Sequence, residues 1–267
     1  MADNMESRVA LVTGSTSGIG EAVAFALARG GHQIVVTGRR EDAGRAVVDA
    51  IRDGGGAAEF VAADLTEPSS AGSVIRRAIE RFGRLDVVVS NAGGATGRAG
   101  FQSVPDEDWA NTFELNLFSA VRIARASIPH LVATRGALVF VGSVNARQPF
   151  PSIVDYSAAK AALVNLSKAL AEEFAPAGVR VNTVSPGPVA TPPWTAPGGM
   201  ADSIATQAGV TRQEALSSVI PASMGLSVGR MVHVDEVAEA VQFLASGGAN
   251  SISGAELVID AGMVKAI

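Results

Sequence analysis

The sequence predicts an α/β fold: a single domain built on a doubly wound, mostly seven-stranded parallel sheet with helices on both faces. Three observations predict it. Short apolar runs recur without polar alternation, as strands covered on both faces require. Longer stretches with apolar residues at helical spacing separate them. Glycine, proline or an acidic residue marks most of the joints.

Val9–Thr13 is an apolar run that stops at glycine, the first strand. Gly18–Arg29 carries Ile19, Val23, Ala26 and Leu27 at helical spacing and ends at Gly30 and Gly31. Ile34–Thr37 is the second strand, and Glu41–Arg52 is a helix closed by Gly54, Gly55 and Gly56. Glu59–Ala62 is the third strand. Pro68–Phe82 is a helix, with Pro68 suited to its first turn, and Leu85–Ser90 is the fourth strand. Asp106 to about Thr134 reads as one long helix, broken near Pro129. Ala137–Val141, Val179–Val184 and Leu257–Ile259 complete the strands. Val154–Phe174 and Asp235–Ala245 complete the helices, with Asp235 as the N-cap of the latter. Such alternation is Rossmann-like. Its ligand crevice lies at the carboxyl ends of the strands, where strand order reverses.

One stretch breaks the rhythm. From Pro188 to about Arg230, Pro192, Pro193, Pro197, Gly198, Gly199 and Pro221 are scattered among apolar residues. Long irregular segments in compact domains serve as lids. A substrate lid at about 188–230 is therefore expected within one domain covering residues 1–267. The plainer alternative is a surface insertion that serves an oligomer contact.

Composition removes several classes of function. Hydrophobic residues make up 48% and charged residues 18%, a globular balance. The net charge is −5 with no basic tract, so no nucleic-acid partner is expected. The lack of cysteine excludes disulfides, thiolate catalysis and Cys-ligated metals. His32, His130 and His233 are isolated and match no metal spacing, so no metal is expected. Residues 1–12 lack the basic and long apolar regions of a signal peptide, and no apolar run approaches the ~18 residues that span a bilayer. The expectation is a soluble cytoplasmic protein without a membrane partner.

The first strand runs into Thr13-Gly14-Ser15-Thr16-Ser17-Gly18-Ile19-Gly20, which opens the first helix. Gly14 permits a sharp turn, Gly18 a close approach of backbone to a pyrophosphate, and Gly20 tight packing of helix on sheet. The helix N-terminus presents N–H groups and partial positive charge to phosphates. In a strand–loop–helix context this is a dinucleotide site. Its spacing, T-G-x-x-x-G-x-G, differs from the common G-x-G-x-x-G.

With that spacing the chain resembles the short-chain dehydrogenase/reductase family from Arg8 to Gly262. Further motifs stand in the family's order: Asn91-Ala92-Gly93 after strand four, Asn116 in the following helix, Ser143 after strand five, Tyr156 and Lys160 as Y-x-x-x-K, and Pro186-Gly187 after strand six. Two departures are small. Ser90 stands where an asparagine is often found, and Ala261 where a second glycine is frequent.

The chemistry follows from Tyr156, the only tyrosine, and Lys160, four residues on and so on the same helix face. A phenol titrates near 10. An adjacent ammonium favours the phenolate and draws it towards neutrality, giving a general acid for ketone reduction or a base for alcohol oxidation. The resemblance implies that Ser143 holds the substrate oxygen and that Asn116 links through water to Lys160. It also implies that Asp64, with the N–H of Leu65, meets the adenine, that Asn91 fastens strands or the ribose side, and that Thr191, with Val189, lies near the nicotinamide. Gly142-Ser143-Val144-Asn145 lacks the second glycine of a nucleophile elbow, which disfavours a hydrolase.

Strand two ends at Thr37-Gly38-Arg39-Arg40. NAD enzymes of this fold usually place a carboxylate there for the ribose 2′-hydroxyl. Gly38 leaves room, and Arg39 suits a 2′-phosphate, with Ser15 as a further donor. The expected cofactor is NADP(H), with NAD(H) the alternative. The expected activity is interconversion of a carbonyl and a secondary alcohol by hydride transfer. The alternatives are an NAD(H)-preferring dehydrogenase and a dinucleotide-sensing regulator without catalysis. Gly94, Val144, Phe150, Ile153, Val189, Trp194 and Met200 are expected to line an apolar pocket that suits a hydrophobic ketone, steroid-like, polyketide-like or fatty-acyl alike, better than a sugar polyol, which stays an alternative. The resemblance implies a homotetramer.

Overall fold

The structure, a computed structural model, describes residues 7–265. Strands β1 (Val9–Thr13), β2 (Gln33–Gly38), β3 (Ala58–Ala62), β4 (Val87–Ser90), β5 (Ala137–Val141), β6 (Arg180–Pro186) and β7 (Glu256–Ile259) form one sheet in the order 3-2-1-4-5-6-7. Every adjacent pair is parallel. The chain starts at the centre, winds outward to β3, returns to place β4 beside β1, and winds outward again to β7. The two halves therefore part at β1 and β4, and loops leaving these strands diverge to open a crevice.

Side-chain alternation along each strand builds two cores. Ala10 and Val12 face α1 (Gly18–Arg29), α2 (Glu41–Asp53) and α11 (Val234–Ala245), where Leu27, Ile51 and Val241 pack. Val9 and Leu11 face α3 (Ser70–Phe82), α5 (Ser119–Thr134) and α6 (Val154–Phe174), where Val74, Leu131 and Leu163 pack. Because both faces are covered, β1 is buried throughout, which is why the runs read as continuously apolar.

Three expectations need correction. The long helix after β4 is broken by a π-turn at Glu114–Phe118, between α4 (Asp106–Phe113) and α5, and not at Pro129. Pro129 forfeits one helical hydrogen bond, but buried Ile123, Ile128 and Leu131 hold α5 against the sheet on both sides of it. The last helix begins at Val234 with His233 as N-cap, and Glu236 accepts the His233 N–H at 2.8 Å. Asp235 lies inside the first turn.

The third correction concerns residues 188–230, which are largely helical. They hold α7 (Pro192–Thr195), α8 (Met200–Ala208), α9 (Arg212–Glu214), a π-turn at Ala215–Val219 and α10 (Ile220–Ser223). Thr211 caps α9 with a reciprocal bond to Glu214. Ala201, Ile220, Leu226 and Met231 form a small core with Val144 and Met263. This lobe sits on the loops that leave β5, β6 and β7.

Candidate active site

Backbone geometry builds the floor of the crevice. Gly14 and Gly18 adopt φ of +63° and +59°, the left-handed region. A Cβ on Gly20 would stand 2.4 Å from the Gly14 carbonyl oxygen and 2.5 Å from Asn91 Nδ2, so only glycine fits. Ser17 is extended and its side chain caps no N–H of α1. The first N–H groups of that helix thus keep their capacity for an anion, and the loop fits a pyrophosphate. Thr13 and Asn91 lock the floor. Asn91 Nδ2 donates to the Thr13 and Gly14 carbonyls at 2.9 and 3.2 Å, and Thr13 Oγ1 accepts from the N–H of Asn91 and Ala92 at 2.8 and 2.9 Å. Asn91 is a fastener of β4 to β1.

A cleft of about 280 Å³ lies over this floor. Gly14, Ser17, Gly18, Ile19 and Gly20 line one side; Asn91, Ala92, Gly93, Ser143, Tyr156, Lys160, Pro186, Gly187 and Thr191 line the rest. A Cβ on Gly18 would touch Thr191 Cγ2 at 3.4 Å, so the chain after β6 closes against the glycine loop.

The four residues expected to carry chemistry divide into two kinds. Ser143, Tyr156 and Lys160 face the cleft. Asn116 is 1% exposed and spent on structure: Oδ1 accepts the Gly94 N–H at 3.0 Å, and Nδ2 donates to the Gly94 and Thr112 carbonyls at 2.9 and 3.0 Å. It still borders Lys160, since a Cβ on Gly93 would meet Asn116 Oδ1 at 2.8 Å and Lys160 Nζ at 3.4 Å. Ser143 Oγ donates to Asn145 Oδ1 at 3.1 Å and accepts the Asn145 N–H at 3.2 Å. Asn145 was not singled out in the sequence; its position two residues beyond Ser143 was the available signal.

Burial dominates the electrostatics. Lys160 Nζ donates to the Val141 carbonyl at 2.8 Å and lies 5.6 Å from the centre of the Tyr156 ring. Desolvation lowers its ammonium to about 8. Burial pushes the Tyr156 phenol up, opposed by a hydrogen bond with Ser143. The direction is opposite to the expected pull of Lys160 towards neutrality, because burial outweighs the hydrogen bond from Ser143.

The remaining residues expected on the cofactor side lie outside the cleft. Arg39 is exposed at the end of β2, with Nη1 3.9 Å from Asp64 Oδ2. The Asp64 carboxyl is held below its usual range by hydrogen bonds from the Thr66 hydroxyl and N–H, at 2.7 and 3.0 Å, and by Arg39. Leu65 and Val189 are buried in the two cores. Ser15 is corrected as a phosphate donor: it is fully buried, donating to the Val12 carbonyl at 2.6 Å and accepting the Thr37 N–H at 3.0 Å. Arg40, read from sequence only as a neighbour of Arg39, donates to the Thr16 carbonyl at 3.0 Å and so joins β2 to the glycine loop. Of the expected pocket residues, Gly94 lines the cleft. Val144, Phe150 and Trp194 pack in the lobe core, and Met200 is 47% exposed.

A glycine loop at the switch point, with a buried lysine and a tyrosine across the cleft from it, defines a nicotinamide-dependent oxidoreductase. Comparison with known proteins gives the family. The short chain dehydrogenase model matches residues 8–197. The chain is 36% identical over 263 residues to cis-4-hydroxycyclohexanecarboxylate dehydrogenase of Sinomonas cyclohexanicum, covering 98% of both chains. It is 34% identical over 261 residues to 3-oxoacyl-[acyl-carrier-protein] reductase of Escherichia coli, covering 97% of this chain and 98% of that one. Its fold superposes on L-sorbose reductase from Gluconobacter frateurii, solved with NADPH and L-sorbose, with a TM-score of 0.92 at 30% identity over 100% of both chains. The chain belongs to the short-chain dehydrogenase/reductase family. It is an oxidoreductase of CH–OH and carbonyl groups that binds NAD(P)(H).

Burial of Lys160 has a testable consequence for stability. Its folded pKa, about 8, lies below the ordinary 10.5. Between those values the unfolded chain binds the extra proton, so stability rises with pH across that window and the cost is present in full below pH 8. Lys160→Met should therefore raise stability at pH 7 by up to about 3 kcal/mol. The gain should shrink from pH 8 to 10.5, as read by urea denaturation at a series of pH values.

Proposed function

We propose that the protein is an NADP(H)-dependent carbonyl reductase and alcohol dehydrogenase in which Tyr156 is the general acid and base. The observation that carries this reading is the meeting of Ser143, Tyr156 and Lys160 at one cleft with the glycine loop. When bound, the nicotinamide supplies or accepts the hydride. In reduction, the Ser143 hydroxyl turns from Asn145 to the substrate oxygen and orients it. Tyr156 gives its proton to that oxygen as the carbonyl carbon becomes tetrahedral, and Lys160 carries a proton back to the phenolate. The raised phenol keeps its proton at neutral pH, which suits reduction. General acid–base catalysis contributes roughly 10²–10⁴ in rate, so Tyr156→Phe should lower turnover by at least that factor with cofactor affinity nearly unchanged. Stopped-flow nicotinamide absorbance checks both, and wild-type turnover would falsify the assignment.

The preference for NADP(H) is read from the end of β2. Gly38 carries no carboxylate, Arg39 is exposed, and Arg40 is fixed on the glycine loop. The L-sorbose reductase was solved with NADPH. Asp64 and Leu65 flank the adenine side in this reading. A hydrogen bond to a charged group contributes roughly 1.5–3 kcal/mol, about 10- to 150-fold in affinity. NADPH should bind more tightly than NADH by a factor in that range, and salt should narrow the gap. Arg39→Ala should remove most of the difference and leave NADH titrations almost unaltered; a wild-type preference for NADH would refute it.

The helical lobe at 188–230 is read as the substrate lid. Val144, Phe150 and Trp194 at its base favour an apolar ketone. Backbone hydrogen exchange in the lobe should slow when cofactor and substrate are both bound. Equal exchange with and without them would make it a passive insertion. We also infer a homotetramer. Phe101 and Phe118, 68% and 46% exposed, flank α4 and α5, where Trp109 stacks between Phe101 and Phe113. Such apolar exposure marks an interface, and light scattering should return the mass of four chains.

A further inference from the structure

The loop after β4, residues 94–104, begins at the cleft with Gly94. Gly94, Gly97 and Gly100 give it little stiffness of its own. Two side chains pin it. Asn116 holds Gly94 by both its N–H and its carbonyl, at 3.0 and 2.9 Å. Four residues on, the Arg98 N–H donates to the Ser152 carbonyl at 2.7 Å, in the turn that leads into α6. The Arg98 side chain, 12% exposed, then reaches inward. Its Nη1 donates to Asp108 Oδ2 at 2.6 Å, while Nη2 and Nε donate to Asp155 Oδ2 at 2.7 and 3.2 Å.

Asp155 is 1% exposed, sits in the first turn of α6 and directly precedes Tyr156. Thr112 Oγ1 donates to the same carboxylate oxygen at 2.7 Å, and the Thr112 carbonyl accepts Asn116 Nδ2 at 3.0 Å. The two pins therefore meet on one residue of α4. Burial acts to raise the Asp155 carboxyl, but hydrogen bonds from Arg98, Thr112 and the Tyr156 N–H outweigh it, so the group is an anion held below its usual range. Asp108 on α4 shares the Arg98 guanidinium, and Tyr156 and Lys160 follow Asp155 on its own helix. Glu114, on the adjoining π-turn, is engaged by Arg122.

A buried ion pair is a weak source of stability, because desolvation offsets most of its attraction. The position of this one explains it better. We propose that Arg98 and Asp155 are positioning residues: they lock the 94–104 wall to the first turn of α6 and so fix Tyr156 against the cleft, while Arg98 cancels a negative charge that would otherwise stand beside the phenol. The proposal rests on the reading of Tyr156 as acid and base. Geometry is the main effect, since a misplacement of about 1 Å can cost a catalytic step 10²-fold.

The test compares Arg98→Gln, Arg98→Lys, Asp155→Asn and the double variant Arg98→Gln/Asp155→Asn in both reaction directions, with Tyr156→Phe as reference. Arg98→Gln should lose roughly 10- to 100-fold in kcat, with the KM for nicotinamide cofactor changed by less than about 2-fold. Its stranded carboxylate should move the ascending, acid-side limb of the alcohol-oxidation profile to higher pH. Arg98→Lys should recover part of the kcat. The double variant and Asp155→Asn should show no upward move of that limb, because no charge is stranded, while the double variant keeps the loss of kcat. A folded Arg98→Gln with wild-type kcat and profile overturns the proposal, as does a loss matched by an equal rise in cofactor KM. Should Arg98→Gln fail to fold, the double variant decides: wild-type kcat overturns the proposal, and lowered kcat with cofactor KM retained supports it. Retained turnover in Tyr156→Phe overturns the acid–base reading and this proposal with it. An inactive Tyr156→Phe beside a normal Arg98→Gln overturns this proposal alone.

Discussion

The tie between Thr13 and Asn91 joins β1 to β4 at the point where the sheet reverses its winding. One threonine hydroxyl accepts two backbone N–H groups of the next half, and one amide donates two bonds back to the glycine loop. Without it, the loops that part at the switch point would have no fixed relation. Gly20 shows how tight the joint is, since its missing Cβ would clash with the Gly14 carbonyl oxygen at 2.4 Å and Asn91 Nδ2 at 2.5 Å. The rest of the site is measured from this corner. The first turn of α1 points over it, and Gly93, two residues beyond Asn91, meets Asn116 and Lys160.

The reactive side adds a different constraint. Lys160 is buried against the Val141 carbonyl, and Tyr156 is raised by the same burial that weakens the lysine. A low dielectric makes each charge costly and each remaining interaction stronger. The cost is tolerable because β5, α6 and the β4 loop are held by other means. Stability of the two cores, supplied by continuous apolar strands, offsets the desolvation cost at the site.

Much of this was legible in the sequence. The strands and helices of the first 100 residues follow from apolar runs and punctuating glycines, because the central parallel strands β1, β2 and β4 are buried on both faces and read almost wholly apolar. The glycine loop was legible because its residue types are forced by backbone geometry. The features that escaped are those decided by neighbours far along the chain. Ser15 has the right residue type in the right loop, yet its hydroxyl is consumed by Val12 and Thr37, which only the pairing of β1 with β2 reveals. The π-turn at Glu114–Phe118 has no glycine or proline to announce it, whereas Pro129, the obvious breaker, is carried by the packing of α5. The lobe at 188–230 looked irregular because its helices are short and proline-rich, and its core is completed by Val144 and Met263 from other segments.

These differences separate two kinds of specificity within one cleft. Residues fixed by backbone contact, such as Gly14, Gly20 and Asn91, shape a floor that would suit any ligand with a pyrophosphate. In the proposed reading, residues that would choose among substrates stand on the lobe and on the loop after β4, which the sheet does not hold directly. Their precision must come from side-chain ties back to the framework. Asn116 and Arg98 supply such ties for the loop, and the lobe is held to the framework through its core with Val144 and Met263. A cleft assembled in this way can change its substrate by altering the walls while the joint between β1 and β4, and the chemistry measured from it, stays in place.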